Sequence, residues 1–169
     1  YAAIADVYVP SDRLEALKAC LVDGESIDVA LRELSAPSGE APLAAHRASI
    51  DRHFSKSSVS DIVASLKADG GEWEAKVAAN IGTKSPTSCL VAYRQVREGA
   101  KLSCDEAMQL EYRLTNRFIT GHDFYEGVRA IIIDKDQAPK WKPAKLEDVS
   151  TAEIDAYFAP LESGELTFE

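Results

Sequence analysis

Residues 85–121 read SPTSCLVAYRQVREGAKLSCDEAMQLEYRLTNRFITG and predict two consecutive helices. Ser85 is a suitable N-cap, and Pro86 suits the first helical turn, where a missing N–H costs nothing. Gly99 ends this first helix, because glycine readily adopts the backbone conformations that terminate a helix. The start and stop signals around this segment make a helix its predicted structure.

The second helix of this stretch has an equally clear start. Ser103 is followed three residues later by Glu106, which is the spacing of a capping box. Gly121 is the expected C-terminal stop. The predicted apolar stripe consists of Ala107, Leu110, Leu114 and Phe118.

The same helical pattern extends outward in both directions from residues 85–121. Residues 35–43, SAPSGEAPL, interrupt it and predict a loop, and either Ser58 or Ser60 caps the helix that follows at 58–71. The other predicted helices cover residues 12–22, 26–34, 46–54, 73–81, 123–133 and 150–158. In the helix at 123–133 the residues expected to face inward are Phe124, Val128, Ile131 and Ile132.

The first ten residues favour a strand instead. Val7, Tyr8 and Val9 are β-prone, and Pro10 stops the run. A strand without partner strands cannot pair its backbone groups, so the chain is interpreted as the back part of something longer. The predicted fold class is therefore mainly α, with about eight helices and one orphan terminal strand.

Composition excludes several classes of protein. A net charge of −9 over 169 residues argues against a nucleic-acid surface, which needs clustered Lys and Arg. No apolar run, including Ile131–Ile133, approaches the roughly 20 residues that span a bilayer, so no membrane contact is expected. The spacing of the cysteines predicts neither a disulfide framework nor a metal site, and the histidines complete no ligand set with them. These residues are Cys20, Cys89 and Cys104, and His46, His53 and His122.

No nucleophile, metal-protease or phosphate-loop motif is present in the sequence. Glu111, Asp123 and Glu126 are interpreted as solvated carboxylates rather than catalytic groups. His122 stands beside Asp123, but adjacent residues do not face each other on a helix. The pair is therefore interpreted as a feature of a helix start, where the dipole favours Asp123.

A cluster of lysines around Trp141 supports two interpretations. One is a solvated charge run, in which nearby acidic residues balance the lysines. The other is an anion site with an aromatic wall, because Lys makes point-charge contacts to phosphate and an aromatic face can stack on a purine. The lysines are Lys135, Lys140, Lys142 and Lys145, and the acidic residues are Asp134, Asp136 and Glu147.

Several motifs resemble one known family in their order and spacing. They are SPTS at 85–88, LEYRL at 110–114, GHDFYEGVRA at 121–130 and DKDQAPKWKP at 134–143. They are similar to the C-terminal part of the 3-hydroxyisobutyryl-coenzyme A hydrolases, which belong to the crotonase (enoyl-CoA hydratase/isomerase) superfamily. The opening YAAIADVYVP resembles the end of the crotonase core, with Ala3 where glycine is commoner.

The resemblance implies an enzyme that hydrolyses a branched hydroxyacyl-CoA thioester in valine degradation. In the family the oxyanion hole and the acidic catalytic residues precede the segment that matches Tyr1, so no catalytic residue is assigned and the chain alone is expected to be inactive. Coenzyme A is part of the substrate, and neither a cofactor nor a metal is expected. The implied partners are the acyl-CoA substrate, the missing N-terminal ββα core and a homo-oligomer. A bacterial cytoplasm and a mitochondrial matrix are equally compatible with the sequence.

The resemblance also assigns a binding site and a division of the chain. Lys135 matches a family lysine that closes over the adenosine end of CoA and pairs with its 3′-phosphate, and Trp141 matches the aromatic position that follows. Residues 1–10 are expected to end the crotonase core, residues 11–80 to form a variable helical segment, and residues 81–169 to cover the core and the CoA site.

Two alternatives stay open. Relatives with hydratase or isomerase chemistry share this part of the sequence. This half of the sequence therefore does not distinguish hydrolysis of the acyl-CoA from hydration or isomerisation. A non-catalytic helical interaction module is the other alternative, because catalytic motifs are missing and amphipathic faces are broad.

Overall fold

A computed structural model describes residues 5–168, which contain nine α-helices and no strand. Short 3₁₀ turns occur at Ser11–Arg13, Ala44–His46 and Leu146–Asp148, and the π-helical turn Arg129–Ile133 continues the eighth helix. The helices are α1 (Leu14–Val22), α2 (Ile27–Leu34), α3 (Arg47–Phe54), α4 (Val59–Asp69), α5 (Glu72–Gly82), α6 (Pro86–Gly99), α7 (Cys104–Phe118), α8 (His122–Val128) and α9 (Thr151–Phe158). The mainly α prediction is confirmed for this part of the chain.

The predicted terminal strand is not confirmed. Residues 5–10 have no regular secondary structure, and residues 1–4 lie outside the described range. Tyr8 contributes its carbonyl to one backbone hydrogen bond, from Ala36 N–H at 3.0 Å. A β-prone sequence forms a strand only where a neighbouring strand can pair with it, and residues 5–168 supply none.

The chain divides into two compact units, Tyr1–Arg52 and His53–Glu169. In the first unit α1 packs against α2, and Arg13 donates to the Leu34 and Ser35 carbonyls at 3.3 and 3.4 Å. Leu14 and Leu21 of α1 remain 42% exposed. The predicted three-part division into 1–10, 11–80 and 81–169 rests on the resemblance and stays a prediction.

The second unit contains two apolar clusters. In one, Val91 of α6 packs with Leu110 and Leu114 of α7 and with Ile154 of α9, which confirms the centre of the predicted α7 stripe. In the other, α4 packs on α5 through the buried residues Ile62, Leu66 and Ala78. Because α6 also contributes the partly buried Tyr93 to the second cluster, it contacts both. Every helix within residues 5–168 is too short or too polar to traverse a lipid bilayer.

Serine caps determine where several of these helices begin. Ser58, and not Ser60, caps α4 by accepting a hydrogen bond from Asp61 N–H at 3.0 Å. Ser85 caps α6, and both Ser103 on α7 and Ser150 on α9 form complete capping boxes. Each of these contacts spans three residues, and the predicted caps at Ser85 and Ser103 are confirmed.

The prediction that Gly121 ends α7 is wrong. Helix α7 already ends at Phe118, and Gly121 has φ −84°, outside the left-handed region that a glycine stop requires. Gly121 instead stands as the N-cap of α8.

Candidate substrate-binding segment

Two carboxylates of α8 hold the loop that follows it. Glu126 Oε1 accepts a hydrogen bond from Lys140 N–H at 2.7 Å, and Asp123 Oδ1 accepts one from Lys142 N–H at 2.8 Å. The two acids are three residues apart and so lie on the same helix face. The interpretation of Asp123 and Glu126 as solvated carboxylates is therefore wrong, because both are committed to the backbone of the loop.

Arg129 is the centre of an ionic network at the same place. Its guanidinium donates two hydrogen bonds to Glu126, at 2.9 and 2.7 Å, and one each to Asp134 and Asp136, both at 2.7 Å. The Arg129 hydrogen bonds, together with the Lys140 N–H, lower the pKa of Glu126 to about 2. The pKa of Asp136 is also lowered, chiefly by its hydrogen bond with Arg129.

Trp141 anchors the loop to two helices. Its indole Nε1 donates to the Thr83 carbonyl at 2.9 Å, at the end of α5. Its ring lies over Gly127 of α8, where an added Cβ would be 3.4 Å from Cη2 and 3.6 Å from Cζ3. A cleft of about 570 Å³ lies beside the indole, and its lining residues are Gly82, Thr83, Gln137, Ala138, Pro139, Lys140, Trp141 and Ala144.

The structure changes the expected charge balance of the lysines. Asp134 and Asp136 bind Arg129 rather than a lysine, so two of the three predicted balancing acids are engaged elsewhere. The third, Glu147, lies 3.9 Å from Lys145 in an exposed pair, the kind of contact that contributes little.

Lys135 lies just past the π-helical turn with an exposed side chain and φ 56°, which is unusual for a residue other than glycine. Within residues 5–168 no carboxylate is at ion-pair distance from its ammonium group. Lys135 is not among the residues that line the 570 Å³ cleft. The structure therefore places Trp141, but not Lys135, at the cleft wall.

Ser85, Asp123 and His122 form a hydrogen-bonded row. Ser85 Oγ donates to Asp123 Oδ2 at 2.6 Å, and His122 Nδ1 lies 2.9 Å from Asp123 Oδ1. His122 and Asp123 therefore do contact each other, contrary to the expectation from their adjacency. The carboxylate stands between the hydroxyl and the imidazole, so the imidazole cannot act directly as the base that a serine nucleophile requires. This row ties α6 to α8 and forms no catalytic triad.

Three of the four residues predicted to face inward from α8 and its π-helical turn are exposed, and only Val128 is partly buried. Phe124, Ile131 and Ile132 were expected to face inward, yet they are 46%, 53% and 63% exposed. Tyr125 and Ile133 are also exposed, at 62% and 68%. The apolar face identified from the sequence is present, but the described residues of its own unit, 53–168, do not cover it.

Arg129 organises this candidate segment, although the sequence pattern did not single it out. Its spacing of three residues from Glu126 was a usable signal for a helical ion pair. Its contacts with Asp134 and Asp136 depend on the turn after the helix, which the sequence pattern does not specify.

Comparison with known proteins agrees with the resemblance. Residues 1–158 match the family model described as Enoyl-CoA hydratase/isomerase. The mitochondrial 3-hydroxyisobutyryl-CoA hydrolase of Danio rerio is 43% identical over 96% of this chain and 45% of its own length. The same-named protein of Gallus gallus is 47% identical over 72% of this chain and 31% of its own length. The chain thus spans less than half the length of these relatives.

Solved structures show the same relationship. A carnitinyl-CoA dehydratase from Mycobacterium thermoresistibile matches with a TM-score of 0.86 and 36% identity, over 98% of this chain and 47% of the other. An enoyl-CoA hydratase from Rhodobacter sphaeroides matches with a TM-score of 0.79 and 33% identity, over 99% and 48%. By its family match, its identity to these relatives and its fold, the chain belongs to the enoyl-CoA hydratase/isomerase family, the crotonase superfamily.

Proposed function

We propose that this chain is the C-terminal half of a CoA-thioester hydrolase that converts 3-hydroxyisobutyryl-CoA and water to 3-hydroxyisobutyrate and CoA in valine catabolism. The observation that carries the proposal is 43% identity to a hydrolase of that name over 96% of the chain. The names of such relatives place them in mitochondria, which supports a mitochondrial matrix location; a bacterial cytoplasm is the alternative.

In the proposed reaction, water adds to the thioester carbonyl, the C–S bond breaks, and the CoA sulfur leaves with a proton. Two backbone N–H groups of the N-terminal core would stabilise the developing oxyanion, and acidic residues of that core would move the protons. No residue of this chain is assigned to these steps. Its contribution would be binding and shielding, and the chain alone would not turn over the thioester.

Lys135 is proposed to bind the 3′-phosphate of CoA. Its ammonium group is exposed, and the neighbouring carboxylates of Asp134 and Asp136 point to Arg129, so they do not neutralise it. Trp141 is proposed as an aromatic wall near the adenosine, because it borders the 570 Å³ cleft. The indole Nε1 is already bound to Thr83, which leaves the ring face for packing.

Substitution of Lys135 tests this assignment in the complete enzyme. Lys135→Ala should raise KM for the acyl-CoA about tenfold or more with kcat unchanged, because a charge-assisted contact contributes roughly 1.5–3 kcal/mol. A 3′-dephospho-CoA ester should show no such difference between the two enzymes. Lys145→Ala is the matched control and should leave KM unchanged. Equal KM values for wild type and Lys135→Ala at low salt would remove Lys135 from the site.

A mixing experiment tests the half-enzyme proposal itself. The chain and the preceding half of the protein, each purified and folded, should be inactive apart and should cleave the thioester when combined. The same mixture should be assayed for hydration of an enoyl-CoA, because the structurally similar proteins carry dehydratase and hydratase names. Hydration without cleavage would favour that alternative chemistry.

A non-catalytic interaction module is the second candidate. Its support is an apolar groove of about 920 Å³ between α4, α5 and α6, whose lining includes Val96, which is 75% exposed. If the combined halves bind each other but show neither hydrolysis nor hydration, this candidate replaces the first.

A further inference from the structure

His53 is the most completely buried titratable side chain of the second unit, with 1% of its surface exposed. Its Nδ1 lies 2.8 Å from Ser65 Oγ, within hydrogen-bond distance. Its Nε2 is buried and has no hydrogen-bond partner among the described residues. Leaving a buried polar atom without a partner is energetically costly, so the position of this nitrogen calls for a ligand.

Two carboxylates converge on this nitrogen. Asp69 Oδ2 is 3.5 Å from Nε2, which is beyond the usual hydrogen-bond range. Glu74 is only 7% exposed, and one ligand atom from each of His53, Asp69 and Glu74 lies within 4.8 Å of the others. One imidazole nitrogen and two carboxylates therefore lie close enough together to share a single ion.

The backbone makes room for this convergence. Asp69 is the last residue of α4, and Glu74 lies in the first turn of α5, joined by Gly70 and Gly71. A Cβ at Gly71 would lie 2.0 Å from Glu74 Oε2 and 3.4 Å from Asp69 Oδ1. Glycine at position 71 therefore allows the Glu74 carboxylate to occupy its position.

We propose that His53 Nε2, Asp69 and Glu74 bind one divalent metal ion of the zinc class, with water completing the coordination. Zinc–nitrogen and zinc–oxygen bonds of about 2.0–2.2 Å at a tetrahedral angle place two ligand atoms about 3.4 Å apart, close to the distance between Nε2 and Asp69 Oδ2. The imidazole ligand favours this class over magnesium or calcium, which prefer oxygen ligands. A metal-bound histidine is usually oriented by a hydrogen bond from its other ring nitrogen, and Ser65 Oγ is the partner of His53 Nδ1 in this way.

The sequence pattern does not indicate this site, because its histidines and cysteines lack the spacing of a metal-ligand set. The ligands come from three helices, α3, α4 and α5, and no fixed spacing connects them. The ion would join the ends of these helices and contribute to stability rather than to thioester chemistry.

Metal titration of the purified protein, after treatment with a chelator, tests the proposal. Calorimetry with Zn²⁺ and absorption spectroscopy with Co²⁺ should show one site per chain, and Zn²⁺ should displace the Co²⁺ and raise the unfolding temperature. Ser65→Ala should weaken binding about tenfold, and Glu74→Gln, which keeps the side-chain shape, should weaken it more.

His46→Gln is the matched control and should bind as the wild type does. No saturable uptake by the wild type, or equal uptake by a folded Glu74→Gln protein, would overturn the proposal.

Discussion

The hydrogen bond between Glu126 and the Lys140 N–H makes the attachment of the loop to α8 dependent on pH. Its pKa in the folded protein is about 2, depressed chiefly by Arg129, while a glutamate in an unfolded chain titrates near 4.3. Because the pKa of Glu126 is lower in the folded protein, its ionised carboxylate stabilises the loop at pH values above the unfolded pKa. This stabilisation is lost as the pH falls through the folded pKa. We expect the loop to loosen between about pH 4.3 and 2, reported by Trp141 fluorescence in a Trp73→Phe background.

Glu126→Gln should shrink this acid transition, because its side chain does not titrate. Glu111→Gln changes an exposed helical carboxylate and should leave the transition intact. A transition of the same size and midpoint in Glu126→Gln would show that Glu126 does not control the loop.

Gly127 lets the Trp141 ring lie directly on α8. Gly127→Ala adds an atom at ordinary contact distance, 3.4 Å from Cη2, and gains helix propensity, so we expect little or no loss of stability. Gly127→Val adds two methyl groups that meet the ring, and overpacking typically costs about 1–3 kcal/mol. Urea unfolding of the two variants measures the difference, and Trp141 emission should shift to the red only in Gly127→Val.

At the scale of the helices, the caps provide a matched pair of serines. Ser58 accepts the Asp61 N–H at the start of α4, so Ser58→Ala should cost about 1 kcal/mol of unfolding free energy. Ser60 lies inside the same helix and is exposed, so Ser60→Ala should be neutral or slightly stabilising. Denaturant unfolding distinguishes them, and equal losses in both variants would contradict the assignment of the cap.

The caps also show which elements the sequence could predict. Ser85, Ser103 and Ser150 were identifiable because a cap and its N–H partner are three residues apart. The role of Arg129 was not identifiable, since it depends on a turn in which Lys135 and Gln137 adopt positive φ. Elements set by neighbouring residues were predicted, and contacts made across a turn were missed.

At the scale of the whole molecule, the exposed side of α8 and its π-helical turn is the feature to explain. We expect this face to pack on the N-terminal half of the proposed enzyme. Ile132→Asp should leave the unfolding free energy of the isolated chain within about 0.5 kcal/mol, because Ile132 is 63% exposed. The same change should weaken binding to the N-terminal half, measured by calorimetry. Unchanged binding would show that the two halves meet elsewhere.

The fold class was predictable as a whole because helical periodicity runs through most of the chain. The sequence predicted less well whether each apolar stripe is buried or exposed. Leu110 and Leu114 are buried as expected, whereas Phe124 and Ile131 are exposed. A hydrophobic pattern identifies a face that requires covering, but it carries no information about whether the cover belongs to the same 169 residues.

The paired hold of Asp123 and Glu126 on Lys142 and Lys140 has an evolutionary consequence. The two carboxylates grip amide groups, so almost any amino acid except proline can stand at position 140 or 142 without loss of the grip. A deletion of one residue between Gln137 and Lys140 would shift the register and pull the indole away from Thr83. Substitutions at positions 140 and 142 are therefore expected to be tolerated more readily than a change in the length of this loop.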